Sequence, residues 1–194
     1  MDVFHKEDDY RAFVELMLEA NERLPMRLTG YCLMPNHLLL WPYNDGDLSR
    51  WMQWLLTAHV RRYHRHYHGS GHVWQGRFKA FPIEQDRHYL TVVRYVERNP
   101  LRAELVQSAQ NWRWSSLSRK KEASLDALLS PGPVAKGSQW TRHVNGVETE
   151  SELRRLRRSV NRGTPFGSLE WAHRTAEDLG LEASLRPRGR PPKK

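Results

Sequence analysis

The sequence predicts an α+β fold, an antiparallel sheet with helices on one face. Three stretches carry helical spacing, two short runs between the first and second read as strands, and a proline-asparagine turn joins those strands. The 194 residues make one moderately sized domain, or one with a substantial appendage. With 39% hydrophobic residues and eight tryptophans, a core is within reach.

Residues 7–24 place Tyr10, Phe13, Val14, Met17 and Leu18 at helical spacing, with acids in the first turn. Residues 27–33 and 37–43 read as two strands about Met-Pro-Asn, a hairpin. Asp47 opens a second helix, with Leu48, Trp51, Trp54, Leu55, Ala58 and Tyr63 along it, and Gly-Ser-Gly at 69–71 closes it. Residues 72–84, HVWQGRFKAFPIE, read as extended structure. A third helix starts near the N-cap Asp86 and buries Tyr89, Leu90, Val92, Val93 and Val96. Pro100 is expected to end it, since proline disfavours helical geometry one residue earlier. A strand ahead of the first helix would complete the sandwich, and the chain is expected to lack it.

Residues 1–121 are therefore read as the main domain and 122–147, containing LLSPGPVAKGS, as a linker. Residues 148–182 hold a helical pair, 149–161 and 168–180, around RGTPFGS. Residues 183–194 form a basic tail, with five cations and no acid in its last nine residues, expected to be disordered alone.

Lysine and arginine number 31 against 22 acids, a net charge of +9, which points to a polyanionic partner and to nucleic acid before membrane. Between Leu48 and Ile83 there is no acid, while Arg50, Arg61, Arg62, Arg65, Arg77 and Lys79 are interleaved with aromatic rings. Cations along a phosphate backbone beside rings for stacking make a single-strand binding surface. Trp51, Trp54 and Phe78 are read as core, with the cations facing out. The single cysteine, Cys32, excludes an intrachain disulfide and a thiolate zinc cage, and reads as a buried filler. His64 and His68 are one helical turn apart, but lack a third ligand and read as a solvated cluster. No apolar run reaches the roughly 18 residues of a membrane span, and the acidic N-terminus lacks a signal peptide's apolar core. The cytoplasm is the expected compartment.

Tyr95 and Asn99 lie one turn apart on the third helix, with Arg94, Arg98 and Arg102 about them. A tyrosine hydroxyl attacks phosphate only where cations or a metal polarise the target. YCLMPNHLLLW, HVWQGRFKAF, RYVERNPLRAELV and WRWSS stand in the order and spacing of the REP-associated tyrosine transposases, a branch of the single-tyrosine HUH (IS200-like) transposases. The segments RRSVNRGTPFGSLEW and LGLEASLRPRGRP resemble the tails of that group.

The resemblance implies a ferredoxin-like domain that binds hairpin-bearing DNA and cleaves single strands. Tyr95 would attack the scissile phosphate to leave a 5′-phosphotyrosine. His37 and Asn99 would hold Mg²⁺ or Mn²⁺. The charge pattern, rather than the resemblance, sets Arg61, Arg62, Arg65, Arg77, Lys79, Arg94, Arg98 and Arg102 on the DNA. One departure stands out. The family pattern is Met-Pro-Asn-His-x-His, and position 39 is leucine. On a strand, positions 37 and 39 share a face, so a second imidazole is missing from the site. Mg²⁺ can use few protein ligands, so the loss weakens binding without forbidding it. The alternative is a domain that keeps DNA binding and has lost cleavage.

Overall fold

The structure, a computed structural model, describes residues 3–33, 36–42, 44, 46–74, 76–120 and 123–186, with Asn36, His37, Leu39 and Trp41 described by their backbone alone. The chain divides into two compact units, Met1–Phe78 with Val93–Asn145, and Lys79–Val92 with Gly146–Lys194. The first unit runs on past the expected boundary at 121, and the second resumes at 146, beside the expected one at 147.

The first unit is built on helices α1 (Glu7–Arg23) and α2 (Asp47–Tyr67) and strands β1 (Arg27–Leu33) and β2 (Asn36–Trp41). Acids Glu7, Asp8 and Asp9 fill the first turn of α1, where they suit the helix dipole. Asp9 also accepts hydrogen bonds from the backbone N–H groups of His5 (2.7 Å) and Lys6 (3.1 Å), which would otherwise have no partner in the helix. The inner face of α1 buries Phe13, Val14, Leu16 and Met17 against Leu28, Tyr31 and Leu33 of β1 and Trp51 and Leu55 of α2.

Strands β1 and β2 pair antiparallel from Arg27↔Trp41 to Leu33↔Asn36, with an irregularity between Leu28 and Gly30. The other edge of β1 is covered by short segments. Cys32 bridges to Ser115 and Leu28 to Leu129, and the Leu33 amide donates to the Trp114 carbonyl at 2.9 Å. Residues 28–33 are accordingly all buried, Cys32 among them. A mixed helical architecture with few strands is what the structure shows. Among the described residues the sheet has two strands with isolated bridges beside it. Residues 72–84, expected as extended, form no strand there, and only Ile83 bridges, to Phe166. Gly71 and Gly76 turn the backbone into positive φ (94° and 120°), which interrupts extended geometry.

Helix α3 (Arg87–Arg102) starts as expected, with Asp86 Oδ1 accepting from the His88 amide at 2.7 Å. It does not end before Pro100. Proline lacks an N–H, but its fixed φ is helical, so the chain continues to Arg102. Glu104 ends it with a φ of 58°, and the Leu105 amide reaches back to the Pro100 carbonyl at 3.0 Å.

Residues 122–147, expected as a linker, hold two short helices, α4 (Ala123–Leu128) and α5 (Trp140–Asn145). Leu125, Trp140 and Val144 are buried, so these helices belong to the core of the first unit. Glu97 of α3 explains part of this. Its carboxylate is 0% exposed. It accepts hydrogen bonds from Ser116 Oγ, Lys136 Nζ and Trp140 Nε1, each at 2.7 Å. A buried carboxylate is strongly unfavourable unless paired and fully hydrogen-bonded, and here three segments meet to satisfy one.

Between α1 and α2 sits His59, 4% exposed, with its ring 5.1 Å from those of Phe13 and Trp74. Its Nδ1 has no hydrogen-bond partner among the described residues. Burial and the Arg62 charge push its pKa down from 6.5 to about 4, against an opposing pull from Asp9. Above pH 6.5 the ring is neutral folded or unfolded, so its contribution is fully present. As pH falls from 6.5 towards 4, the unfolded chain binds a proton that the folded one refuses, and stability declines. At pH 4.5 the loss should reach about 2 kcal/mol. Urea unfolding followed by tryptophan fluorescence at pH 7 and 4.5 checks this against His59→Phe, whose stability should fall by that much less. Equal losses in both proteins would show that His59 is not the acid-sensitive group.

The second unit contains helices α6 (Glu150–Arg162), α7 (Leu169–Asp178) and α8 (Glu182–Leu185). Thr149 caps α6, its Oγ1 accepting from the Glu152 amide, and Gly163 closes that helix at a φ of 69°. The α8 helix takes in the start of the expected tail, and residues 187–194 lie outside the described ones. No helix among the described residues is long and apolar enough to cross a membrane.

Candidate functional site

Buried Val93, Val96 and Pro100 hold the middle of α3 in the first unit and leave Tyr95 half-buried on another side of the helix. One turn on, Asn99 is 9% exposed. Arg102 joins the two. Its guanidinium lies 4.3 Å from the centre of the Tyr95 ring and donates to Asn99 Oδ1 at 2.9 Å. Positions 95, 99 and 102 follow helical spacing, so one face of α3 carries a hydroxyl, an amide and a cation.

The other two arginines of the group behave differently. Arg98 donates to the Val144 carbonyl at 2.8 Å, which ties α3 to α5. Arg94 is 7% exposed and so adds nothing to the surface cations. Charge counting along a helix does not say which cations face inward. Here burial sets Arg94 apart, and the bond to Val144 sets Arg98 apart, from Arg102 on the tyrosine face.

The expected metal ligands come from two elements. His37 lies on β2 opposite Cys32, and Leu39 lies opposite Gly30. The side chains of both lie outside the described residues. Asn99 Oδ1, the expected helix ligand, already accepts from a guanidinium. With leucine at 39 one imidazole of the implied set is missing, and Asn99 Oδ1 keeps one lone pair beside the guanidinium, so the set for Mg²⁺ or Mn²⁺ is reduced to His37 and Asn99.

A different group could hold a metal ion: Glu84, Asp86 and His88, ahead of and in the first turn of α3, in the second unit. Sequence reasoning missed it, although an acid at 84, an acid at 86 and a histidine at 88 are the signal. Its polar atoms have internal partners. His88 Nδ1 is 2.8 Å from Asp86 Oδ1, and Glu84 Oε2 accepts from the Ser168 amide at 2.6 Å. Gly167 is required beside it, because a Cβ there would stand 2.7 Å from Glu84 Oε2 and 2.5 Å from the Trp171 ring. Hydrogen bonds and the His88 charge hold the Asp86 carboxyl below its usual pKa, although burial acts the other way. The group thus ties residues 84–88 to the start of α7.

The acid-free stretch and α1 together line a basic groove. Arg23, Arg50, Arg61, Arg62 and Arg65 line it, with Trp54, Tyr63 and Tyr67, and Asp8 and Asp9 from the start of α1 stand among them. Arg61 and Arg65 are exposed, and so are Arg77 and Lys79 beyond the helix. Arg62 pairs with Glu15 at 2.9 Å, and Arg23 stacks on Trp54 at 4.9 Å. Trp51 is buried core, as expected, whereas Trp54 reaches the groove wall.

The Tyr67 hydroxyl donates to both Asp9 carboxylate oxygens at 2.8 and 2.7 Å. Burial and that carboxylate push the Tyr67 pKa up to about 12. Burial alone would raise the Asp9 carboxyl, but hydrogen bonds from Tyr67, His5 and Lys6 hold it below its usual range. His64 Nε2 lies 2.9 Å from the Gly71 carbonyl, and His68 comes just after the helix end with a φ of 51°. The helix stops before the two histidines can share a face.

The family model for IS200-like transposases matches residues 1–99, which include His37, Tyr95 and Asn99. The chain is similar to the REP-associated tyrosine transposase of Escherichia coli, 23% identical over 140 residues, covering 70% of this chain and 81% of that one. It is also similar to a protein named for the same group in Haemophilus influenzae, 26% identical over 117 residues, 54% of this chain and 66% of the other. No solved structure matches it.

Proposed function

The chain belongs to the IS200-like transposase family, and on that premise we propose that it binds hairpin-bearing single-stranded DNA and cuts and rejoins strands through Tyr95. The observation that carries this reading is Arg102, which spans Tyr95 and Asn99 on one face of α3. In the proposed step the Tyr95 oxygen attacks the scissile phosphorus and the bond to the 3′-oxygen breaks. The phenol proton is lost to solvent and the departing 3′-oxygen takes one up, so the products are a 5′-phosphotyrosine and a free 3′-hydroxyl. Attack by a 3′-hydroxyl reverses the step and joins strands. Arg102 stands where it can offset charge on the phosphate, a contribution that positioned cations make in phosphoryl transfer. The DNA-processing domain is then ferredoxin-like, with its sheet built around β1 and β2, and the protein works in the cytoplasm.

A second reading has a specific observation behind it. Leu39 offers no metal donor and Asn99 Oδ1 is held by Arg102, so a chain that binds DNA without cutting it is the rival.

Both readings need the basic groove to hold DNA. Affinity for a hairpin with a single-stranded flank should fall steeply with salt, and Arg61→Ala/Arg62→Ala/Arg65→Ala should flatten that slope by about two to three phosphate contacts. Fluorescence anisotropy across a salt series measures it. A slope unchanged in the triple variant would move the DNA to another face.

A further inference from the structure

In the second unit, the strip that leads into α3 is pinned to the segment that leads into α7. Ile83 bridges to Phe166, the Glu84 amide donates to the Phe166 carbonyl at 3.0 Å, and the Phe166 amide donates to the Pro82 carbonyl at 2.9 Å. Three side chains converge on this fixed strip. A carboxylate oxygen from each of Glu84 and Asp86 and a ring nitrogen of His88 lie within 4.8 Å of one another. His88 is 9% exposed, and its ring stands edge-on to Phe166 with centres 5.7 Å apart. Its Nδ1 lies between the two carboxylates, 2.8 Å from Asp86 Oδ1 and 3.4 Å from Glu84 Oε2. One ring nitrogen carries at most one proton, so it can serve one of the two carboxylates well. The 2.8 Å approach is a hydrogen bond, and the 3.4 Å approach is too long for a strong one. A tetrahedral ion with bonds of about 2.0–2.1 Å sets its ligand atoms about 3.3–3.4 Å apart, which matches the spacing from Nδ1 to Glu84.

We propose that Glu84, Asp86 and His88 bind one Zn²⁺, which takes the place of the proton at His88 Nδ1 and fastens the start of α3 to the start of α7. One divalent ion serves both carboxylates at once, which a single proton does not. An imidazole with two carboxylates suits zinc, whereas Mg²⁺ and Ca²⁺ favour oxygen ligands alone. Contacts from behind hold the ligands in place, as zinc ligands require. Glu84 Oε2 accepts from the Ser168 amide at 2.6 Å, and Glu84 Oε1 from Ser168 Oγ at 3.3 Å. Asp86 Oδ1 accepts from the His88 amide at 2.7 Å. The Asp86 side chain is 44% exposed, so water can fill a fourth position. The site uses neither Tyr95 nor the basic groove, so its failure would leave the reading of DNA binding and cleavage as it stands.

The test uses the full chain, freed of metal by a chelator and titrated with ZnCl₂ at pH 7 by isothermal calorimetry. The natural protein should take up Zn²⁺ at one tight site, and millimolar Mg²⁺ should not compete. At about a hundredfold excess of free Zn²⁺ over Kd, its Tm should rise by about 5 °C. His88→Gln should weaken the tight site by about a hundredfold or more and remove the rise in Tm. Asp86→Asn keeps a side chain that can cap α3, and Glu84→Gln keeps an acceptor for Ser168, so these two variants carry the test if His88→Gln does not fold. Each should show the same loss. His64→Gln/His66→Gln/His68→Gln should keep the tight site, because those histidines belong to α2 and its end. Absence of tight Zn²⁺ uptake by the natural protein would overturn the proposal, leaving a cluster satisfied by a proton alone. Uptake that survives in Asp86→Asn and Glu84→Gln, or that vanishes in the triple histidine variant, would overturn it too.

Discussion

Tyr95→Phe should yield no covalent protein–DNA adduct with hairpin-bearing single-stranded DNA, a loss on the order of a thousandfold or more. The substitution deletes one oxygen and keeps the ring. The packing of Arg102 over that ring is therefore retained, and with it the bond from Arg102 to Asn99. DNA affinity should stay within about twofold, because the groove along α1 and α2 does not include this residue. The assay is denaturing gel electrophoresis of protein incubated with labelled DNA and Mn²⁺, beside an anisotropy titration of the same samples. An adduct of equal yield from the phenylalanine variant would place the nucleophile on another residue. If neither protein forms an adduct while both bind DNA, the non-cutting reading is favoured.

The second large effect is a gain. Leu39→His returns a donor to a strand that already carries His37 two positions earlier. Mg²⁺ and Mn²⁺ bind through few protein ligands, so one more imidazole matters. Mn²⁺ affinity measured by isothermal titration should rise at least tenfold, a readout independent of cleavage, and adduct yield should rise with it. The cost in stability should be on the order of 1 kcal/mol. The bond from Arg102 to Asn99 tempers the gain, since one of the two Oδ1 lone pairs is taken and the guanidinium charge stands beside the site. Arg102→Ala in the same background separates the two contributions. A Leu39→His protein that folds and binds DNA but takes up no more Mn²⁺ would show that position 39 does not control metal binding.

Local chemistry made much of this molecule readable in advance. Acids in the first turn, an apolar stripe of Phe13, Val14 and Met17, and the Asp86 cap are signals within a few residues, and α1 and the start of α3 obey them. The hairpin was legible because Met-Pro-Asn separates two apolar runs. The helices at 123–128 and 140–145 were not, since Leu125, Trp140 and Val144 are spaced among prolines and glycines and gain their burial from distant segments. The same limit hid Glu97. Glu97 sits one turn after Val93, an acid on an apolar stripe, and that is the one trace of it in the sequence. Its partners lie 19, 39 and 43 residues further on. Of the catalytic candidates, Tyr95 and Asn99 stand one turn apart by spacing and take their expected roles from the resemblance alone, whereas only the structure distinguishes Arg102 from its buried neighbour Arg94.

Glu97 also bears on how such a gene can be cut and recombined. The stretch that matches the family model ends at residue 99, two positions after this carboxylate, whereas Ser116, Lys136 and Trp140 lie beyond it. A fragment trimmed to the matching stretch would keep the tyrosine and strip its helix of every one of those donors, leaving a charge in an apolar surround. The stretch that matches the family model is thus not a portable cassette. Grafted onto a foreign C-terminal half, the helix bearing Tyr95 would have to find an equivalent hydroxyl, ammonium and indole at the same three places, or give up the acid for a neutral residue.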